Sequence, residues 1–209
     1  MVYFGTGQYL QQADITTTST QTFYGMWDKL EQNPTLIARS NLVAQTVVSE
    51  SGGRRVTSNN SVDWNTTRGW YFDLPTSGER QVSDPILRNQ RIIFTTTIPD
   101  ARVCSFGGTS WLMEFNALNG NRLETSPFDT NNDHKVNEAD KISVTINGQS
   151  QTVAVSGVLS TQGILPTPTV LSSGETEIKY NSGSRGGIFT TIEDPGPWAR
   201  GRLAWRQLQ

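Results

Sequence analysis

The sequence holds a single cysteine, Cys104, and a single histidine, His134. A lone cysteine cannot close an internal disulfide, so no covalent staple supports the fold; Cys104 is expected as a partly buried thiol, with a partner cysteine elsewhere in the protein as the alternative. A Ser-His-Asp relay would have only His134 to draw on. Lysine is scarce, and the net charge of −2 comes with scattered basic residues, so the basic footprint of a nucleic-acid binder is missing. Arg54-Arg55 and Arg200/Arg202 are too short to count as patches and read as solvated surface pairs. No apolar run approaches the ~20 residues of a membrane span. Met1 is followed by Val-Tyr-Phe-Gly-Thr-Gly, without the basic and apolar regions of a signal peptide. The expectation is a piece of an exported protein whose signal lies upstream.

What is abundant is Thr, Ser, Asn and Gly, and stretches such as Thr16 to Thr22 suit half-exposed strands. The composition is that of a secreted β protein, and 209 residues suffice for one β domain. Short alternating or β-branched runs recur: Val2 to Phe4, Phe23 to Trp27, Leu42 to Val48, Trp70 to Leu74, Arg91 to Thr97, Trp111 to Phe115, Ile142 to Ile146, Val153 to Leu159 and Gly187 to Ile192. Gly, Pro, Asn and Ser punctuate them. Only Trp27 to Ser40 has room for a helix, and Pro34 cuts it short. The class is all-β.

Tryptophans at 27, 70 and 111 lie 43 and 41 residues apart, close to the ~40–45 residues of a four-stranded propeller blade. They are expected to pack as structure and not to stack on a ligand, because aromatic rings bury large areas. A second echo links Ser83-Asp-Pro-Ile-Leu87 with Pro166-Thr-Pro-Thr-Val-Leu171, each followed by a turn and another strand. With an insertion over about 126–150, the whole of 1–209 reads as part of a modified β-propeller of about three to four blades. A closed ring needs about 4 to 8 blades, so the missing amino-terminal blades, a partner or a rearranged closure has to cover the open edges.

The strongest local signal runs from Asp129 to Asp140. Asp129, Asn131, Asp133, Lys135, Asn137 and Asp140 occupy positions 1, 3, 5, 7, 9 and 12 of a calcium loop, with Lys135 contributing its backbone carbonyl. Oxygens on alternate residues curl toward one centre, and Ca²⁺ takes six to eight of them. Two positions depart from the pattern: His134 stands where glycine is usual, and Asp140 where glutamate is usual. Pro127 sits where an entering helix would be, and Ile142 to Ile146 alternates as a strand, so the loop is EF-hand-like in ligation within a β scaffold.

Catalytic constellations are hard to build. His134 falls inside the calcium loop, and the Gly-rich pieces Phe4-Gly-Thr-Gly7 and Phe106-Gly-Gly-Thr109 lack the ending of a phosphate loop. They read as hairpins or tight packing.

Several motifs in order, Val2 to Leu10, Gln21 to Asp28, Gly69 to Leu74, Gly78-Glu-Arg80, Ser83-Asp-Pro85, Cys104 to Met113 and Trp205-Arg-Gln-Leu208, resemble the end of PilY-type proteins of type IV pili. The resemblance implies a non-enzymatic, extracellular pilus-tip propeller seated on minor pilins, which supports pilus assembly, twitching motility and attachment to host or abiotic surfaces. It also implies that a calcium loop controls pilus extension against retraction, carried here by Asp129, Asn131, Asp133, Lys135 and Asn137. Two other readings stand beside it. Asn116-Ala-Leu-Asn-Gly-Asn-Arg122 resembles the strand-turn repeat of quinoprotein dehydrogenases, and a carbohydrate-binding propeller would require exposed tryptophans.

Overall fold

The structure is a computed structural model and describes residues 1–32, 36–172 and 176–196. Pro34, Arg200, Arg202 and the terminal motif Trp205 to Leu208 lie outside the described residues. The strands are β1 (Val2–Gly5), β2 (Thr22–Met26), β3 (Val43–Gln45), β4 (Val47–Ser51), β5 (Arg54–Thr57) and β6 (Gly69–Asp73). They continue as β7 (Ile86–Arg88), β8 (Arg91–Thr95), β9 (Ile98–Pro99), β10 (Gly108–Thr109) and β11 (Trp111–Asn116). After these come β12 (Ile142–Ile146), β13 (Gln149–Val153), β14 (Gly157–Leu159), β15 (Thr169–Ser172), β16 (Glu177–Ser182) and β17 (Ile188–Glu193). The helical elements among the described residues are three short 3₁₀ turns, of which Glu138–Asp140 matters below. The protein is all-β.

The strands form three stacked layers. A four-stranded sheet has the order β1-β2-β6-β3, a six-stranded sheet β4-β5-β14-β11-β8-β7, and a three-stranded sheet β15-β16-β17. The register of the first sheet puts Phe23, Trp70 and Phe72 on its inner face, where they meet Ile92, Phe94, Trp111, Met113 and Phe115 of the second. The other face of the second sheet presents Ile93 and Leu112, which pack with Phe128, Val155 and Phe189. The middle sheet is therefore covered on both sides, and β8 is buried at every position. Covered sheets read as continuous apolar runs without alternation.

Trp70 is fully buried, and its indole lies between two glycines. A Cβ at Gly25 or at Gly120 would fall 2.4 or 2.3 Å from the ring, so both positions require the absence of a side chain. The indole N–H donates to the Ala117 carbonyl at 3.2 Å. The turn from Asn116 to Arg122 is thus packing around Trp70.

Four expectations change here. Trp27 follows β2, which pairs with β6 and Trp70 in the same sheet, so the interval of 43 residues is not a step from one sheet to the next. Arg54-Arg55 is not a solvated pair. Alternation along β5 sends the two side chains to opposite faces, and Arg55 is fully buried between Glu79 and the ring of Trp111. Cys104 is exposed and not partly buried, because it sits at φ 70° in the tight loop that joins β9 to β10. The echo of Ser83–Leu87 with Pro166–Leu171 does not mark inner strands of successive blades, as the repeat implies, but edge strands. These segments lead into β7 and β15, each the edge strand of its sheet and each followed by a hairpin.

β11 and β14 pair directly, Trp111 opposite Leu159. Everything between them leaves the sheet. That excursion carries the loop and the separate hairpin β12-β13.

Candidate metal centre

The chain enters the loop as a strand. Phe128 lies opposite Glu193 at the end of β17, the Asp129 N–H donates to the Ile192 carbonyl at 3.0 Å, and the Asp194 N–H donates to the Pro127 carbonyl at 3.0 Å. The buried ring of Phe128 fixes this entry in the second core cluster. A helix cannot occupy the same place.

From Asp129 the side chains take up backbone N–H groups further along the loop. The Asp129 carboxylate accepts from Asn132 at 2.7 Å and from His134 at 2.9 Å. Asn131 Oδ1 accepts from the Asp133 N–H at 2.9 Å, and Asp133 Oδ1 from the Lys135 N–H at 2.8 Å. Such local side-chain turns are what Asp and Asn supply best. Asn132 and His134 have φ values of 61° and 63°, in the left-handed region where His is one of the more tolerant residues. His134 therefore adopts the backbone conformation for which glycine is usual at that position.

Asp140 behaves differently from the other acids. It is fully buried, and its Oδ1 accepts from the Thr130 N–H at 2.7 Å while Oδ2 accepts from the Asn137 N–H at 2.8 Å. Thr130 Oγ1 also donates to the Asp140 carbonyl at 3.0 Å. Asp140 thus ties the start of the loop to its end. Asn137 Oδ1 accepts from the Ala139 N–H at 2.8 Å and caps the 3₁₀ turn that follows.

The structure brings Asp129, Asn131 and Asp133 onto one short, hydrogen-bonded arc and sets Asp140 beneath it against backbone. Among the described residues no three His, Cys, Asp or Glu side chains gather into a cluster of their own. The donor set is instead mixed, with carboxylates alternating with amides and a carbonyl. All are hard oxygens, the chemistry that suits Ca²⁺ and not a thiol- or imidazole-binding metal.

One contact had no signal in the sequence. Arg54, 76 positions upstream, donates from its guanidinium to the Thr130 carbonyl. A cleft of about 450 Å³ runs beside the loop between Arg54, Leu159 and Ile192. A separate groove of about 620 Å³ beside β1 includes no loop residue. Trp70 and Trp111 are buried, and Trp27 is half-buried edge-on against Trp64, so the periodic tryptophans offer no exposed stacking row for a sugar.

No protein-family profile matches the chain. A type IV pilus biogenesis factor PilY1 homolog of Xylella fastidiosa strain Temecula1 is 29% identical over 217 residues, covering 99% of this chain and 16% of that protein. A second match to a protein so described, from the same strain, is 31% identical over 130 residues, or 57% of this chain and 9% of the relative. The crystal structure of the C-terminal domain of PilY1 from Pseudomonas aeruginosa superposes with a TM-score of 0.74 at 28% identity, over 93% of this chain and 41% of that one. The chain is homologous to PilY1 proteins. It spans less than a fifth of the length of these curated relatives. The motifs that carry the PilY1 resemblance fall mostly on strands of the first two sheets and the β9–β10 hairpin: Val2 to Leu10 on the edge strand β1, Gln21 to Asp28 on β2, Gly69 to Leu74 on β6, and Cys104 to Met113 on β10 and β11. The likeness to PilY1 is thus anchored in the layers that bury Trp70 and Trp111.

Proposed function

We propose that this chain is a calcium-binding part of a pilus-tip β-propeller, with an EF-hand-like loop inserted in it, and that the protein supports type IV pilus biogenesis, twitching motility and surface adhesion. The observation that carries the reading is the ladder from alternate Asp and Asn side chains to loop N–H groups over 129–135, in a chain homologous to type IV pilus biogenesis factors. Ca²⁺ would be held by Asp129, Asn131, Asp133, the Lys135 carbonyl, Asn137 and Asp140, with water completing a shell of six to eight oxygens. Bound there, the ion supplies charge that offsets the repulsion between the loop carboxylates. Asp140 contributes by closing the loop from below.

The chain's own residues do the rest. Phe128 and the backbone pairs to β17 hold the entry, and the strand β12 receives the exit. With two carboxylates on the arc and Lys135 beside them, affinity falls in the ~10⁻⁶ to 10⁻³ M span of sensors and extracellular modules. A site of that strength empties when calcium falls, and in this reading occupancy sets the balance between pilus extension and retraction. The role is that of an extracellular assembly protein and not an enzyme. Its partners are the minor pilins of the tip complex, the upstream blades or adhesive domain of the longer protein, and a host or abiotic surface.

The test is calorimetric titration of the chain with CaCl₂, followed by counting surface pili in cells that carry Asp133→Ala in the full-length protein. One site lost in the variant, together with loss of pili, is expected. Normal piliation with an empty site would sink the regulatory part of the reading, and no heat of binding by a folded wild-type chain would sink the calcium site.

A further inference from the structure

We infer that Arg54 is a positioning residue for the loop: from β5 it fixes the second loop residue, Thr130, and through it the placement of Asn131 relative to Asp129. The inference rests on the calcium reading above. Thr130 is buried, and all three of its polar groups are engaged. Its N–H donates to Asp140 Oδ1 at 2.7 Å, its hydroxyl donates to the Asp140 carbonyl at 3.0 Å, and its carbonyl accepts from Arg54. Asp140 is part of the loop, but Arg54 belongs to the six-stranded sheet, where it lies opposite Ser51 of β4 and Val158 of β14. Arg54 is thus the tie from that sheet to the loop, and β17 supplies the tie on the other side through Asp129 and Ile192.

The Thr130 carbonyl and the Asn131 N–H belong to one peptide, so its orientation sets how Asn131 follows Thr130 in the arc and where its side chain sits relative to Asp129. Holding the Thr130 carbonyl fixes that orientation before a cation arrives. Groups that hydrogen-bond a metal ligand directly typically carry a factor of 10–100 in metal affinity; Arg54 acts one residue further out, through Thr130, so the lower end, about 10-fold, is expected. The charge of Arg54 acts in the opposite sense, since a guanidinium near a cation site repels the cation. The two contributions therefore predict opposite outcomes when the side chain is shortened to an apolar one.

The experiment is calorimetric titration of the 209-residue chain with CaCl₂ for wild type, Arg54→Met, Arg54→Lys and Asp133→Ala, with melting temperatures in chelator as the control for folding. Arg54→Met is expected to bind roughly 10-fold more weakly, and Arg54→Lys, which keeps a donor on a long stem, to recover part of the loss. Unchanged or tighter binding by Arg54→Met overturns the inference. So does a lower melting temperature in chelator with affinity intact, which is the signature of a merely structural residue. Should Arg54→Met not fold, Arg54→Lys carries the test, since an ammonium cannot reproduce the planar guanidinium: affinity equal to wild type in that variant overturns the inference. A folded wild type that does not bind Ca²⁺ overturns the calcium reading and this inference with it, whereas binding by wild type with no change in the Arg54 variants removes this inference alone.

Discussion

At the scale of single residues, the most consequential side chain in the core is charged. Arg55 has no exposed surface; its guanidinium forms two hydrogen bonds to Glu79, at 2.6 and 2.9 Å, and lies 4.0 Å from the centre of the Trp111 ring. A buried pair loses far more when one partner is deleted than it gains by existing, because the survivor is left as an unpaired charge in the interior. Arg55→Met should cost about 3–5 kcal/mol in denaturant unfolding, and Arg55→Met with Glu79→Leu should recover most of that. A loss under about 1 kcal/mol, the range of exposed pairs, would show that water reaches the site. Nothing local in the sequence announced this pair, since Glu79 lies 24 positions away and two adjacent arginines look like surface. The loop from Asp129 to Asp140 was legible for the opposite reason. Its acceptors and its N–H donors lie within a dozen residues, so spacing alone encodes the arc. Its ties to Arg54 and to β17 depended on the tertiary fold.

At the scale of elements, most strands with an apolar inward face were legible, and the exceptions are instructive. β16 reads Glu-Ile-Lys-Tyr-Asn-Ser, and its inward residues are Glu177, Lys179 and Asn181, all buried. The polarity pattern is inverted relative to an ordinary amphipathic strand, so hydrophobic alternation could not reveal it. The inward face is polar because it meets charge on the middle sheet. Lys179 reaches Glu114 of β11 at 3.1 Å and also pairs with Glu193 of β17, while Arg91 of β8 donates to the other oxygen of Glu114 at 2.9 Å. Burial pushes the Lys179 ammonium below its ordinary value, opposed by the attraction of Glu114. Together with Phe189 packing against the cluster of Ile93 and Leu112, the network docks the three-stranded sheet on the middle one, with Arg88 and Glu177 as an outer clasp. Lys179→Met leaves two carboxylates facing each other in the interior. Hydrogen exchange should quicken throughout β16 and β17 in that variant while β8 and β11 stay protected. Uniform loss of protection in all four strands would mean that the third sheet does not open as a separate unit.

At the scale of the whole molecule, strand order was the least legible feature. β5 joins β14 across about a hundred residues, and β11 joins β14 around the loop and its hairpin, pairings set by how faces stack and not by any local pattern. The same stacking gives the loop its leverage. It is held by Arg54 of the middle sheet on one side and by β17 of the third sheet on the other, so an ion that stiffens the arc stiffens a junction between two layers. A ligand that binds only the folded state adds about 2.7 kcal/mol at 100 times its Kd, which for a chain of this size raises Tm by roughly 5–10 °C. Thermal unfolding in calcium and in chelator should therefore differ by that amount, and the difference should vanish in Asp133→Ala. If the junction is where the ion acts, the added protection appears in β5 and β17 as well as in the loop. Protection confined to residues 129–140 would make the loop a local clip with no hold on the layers it joins.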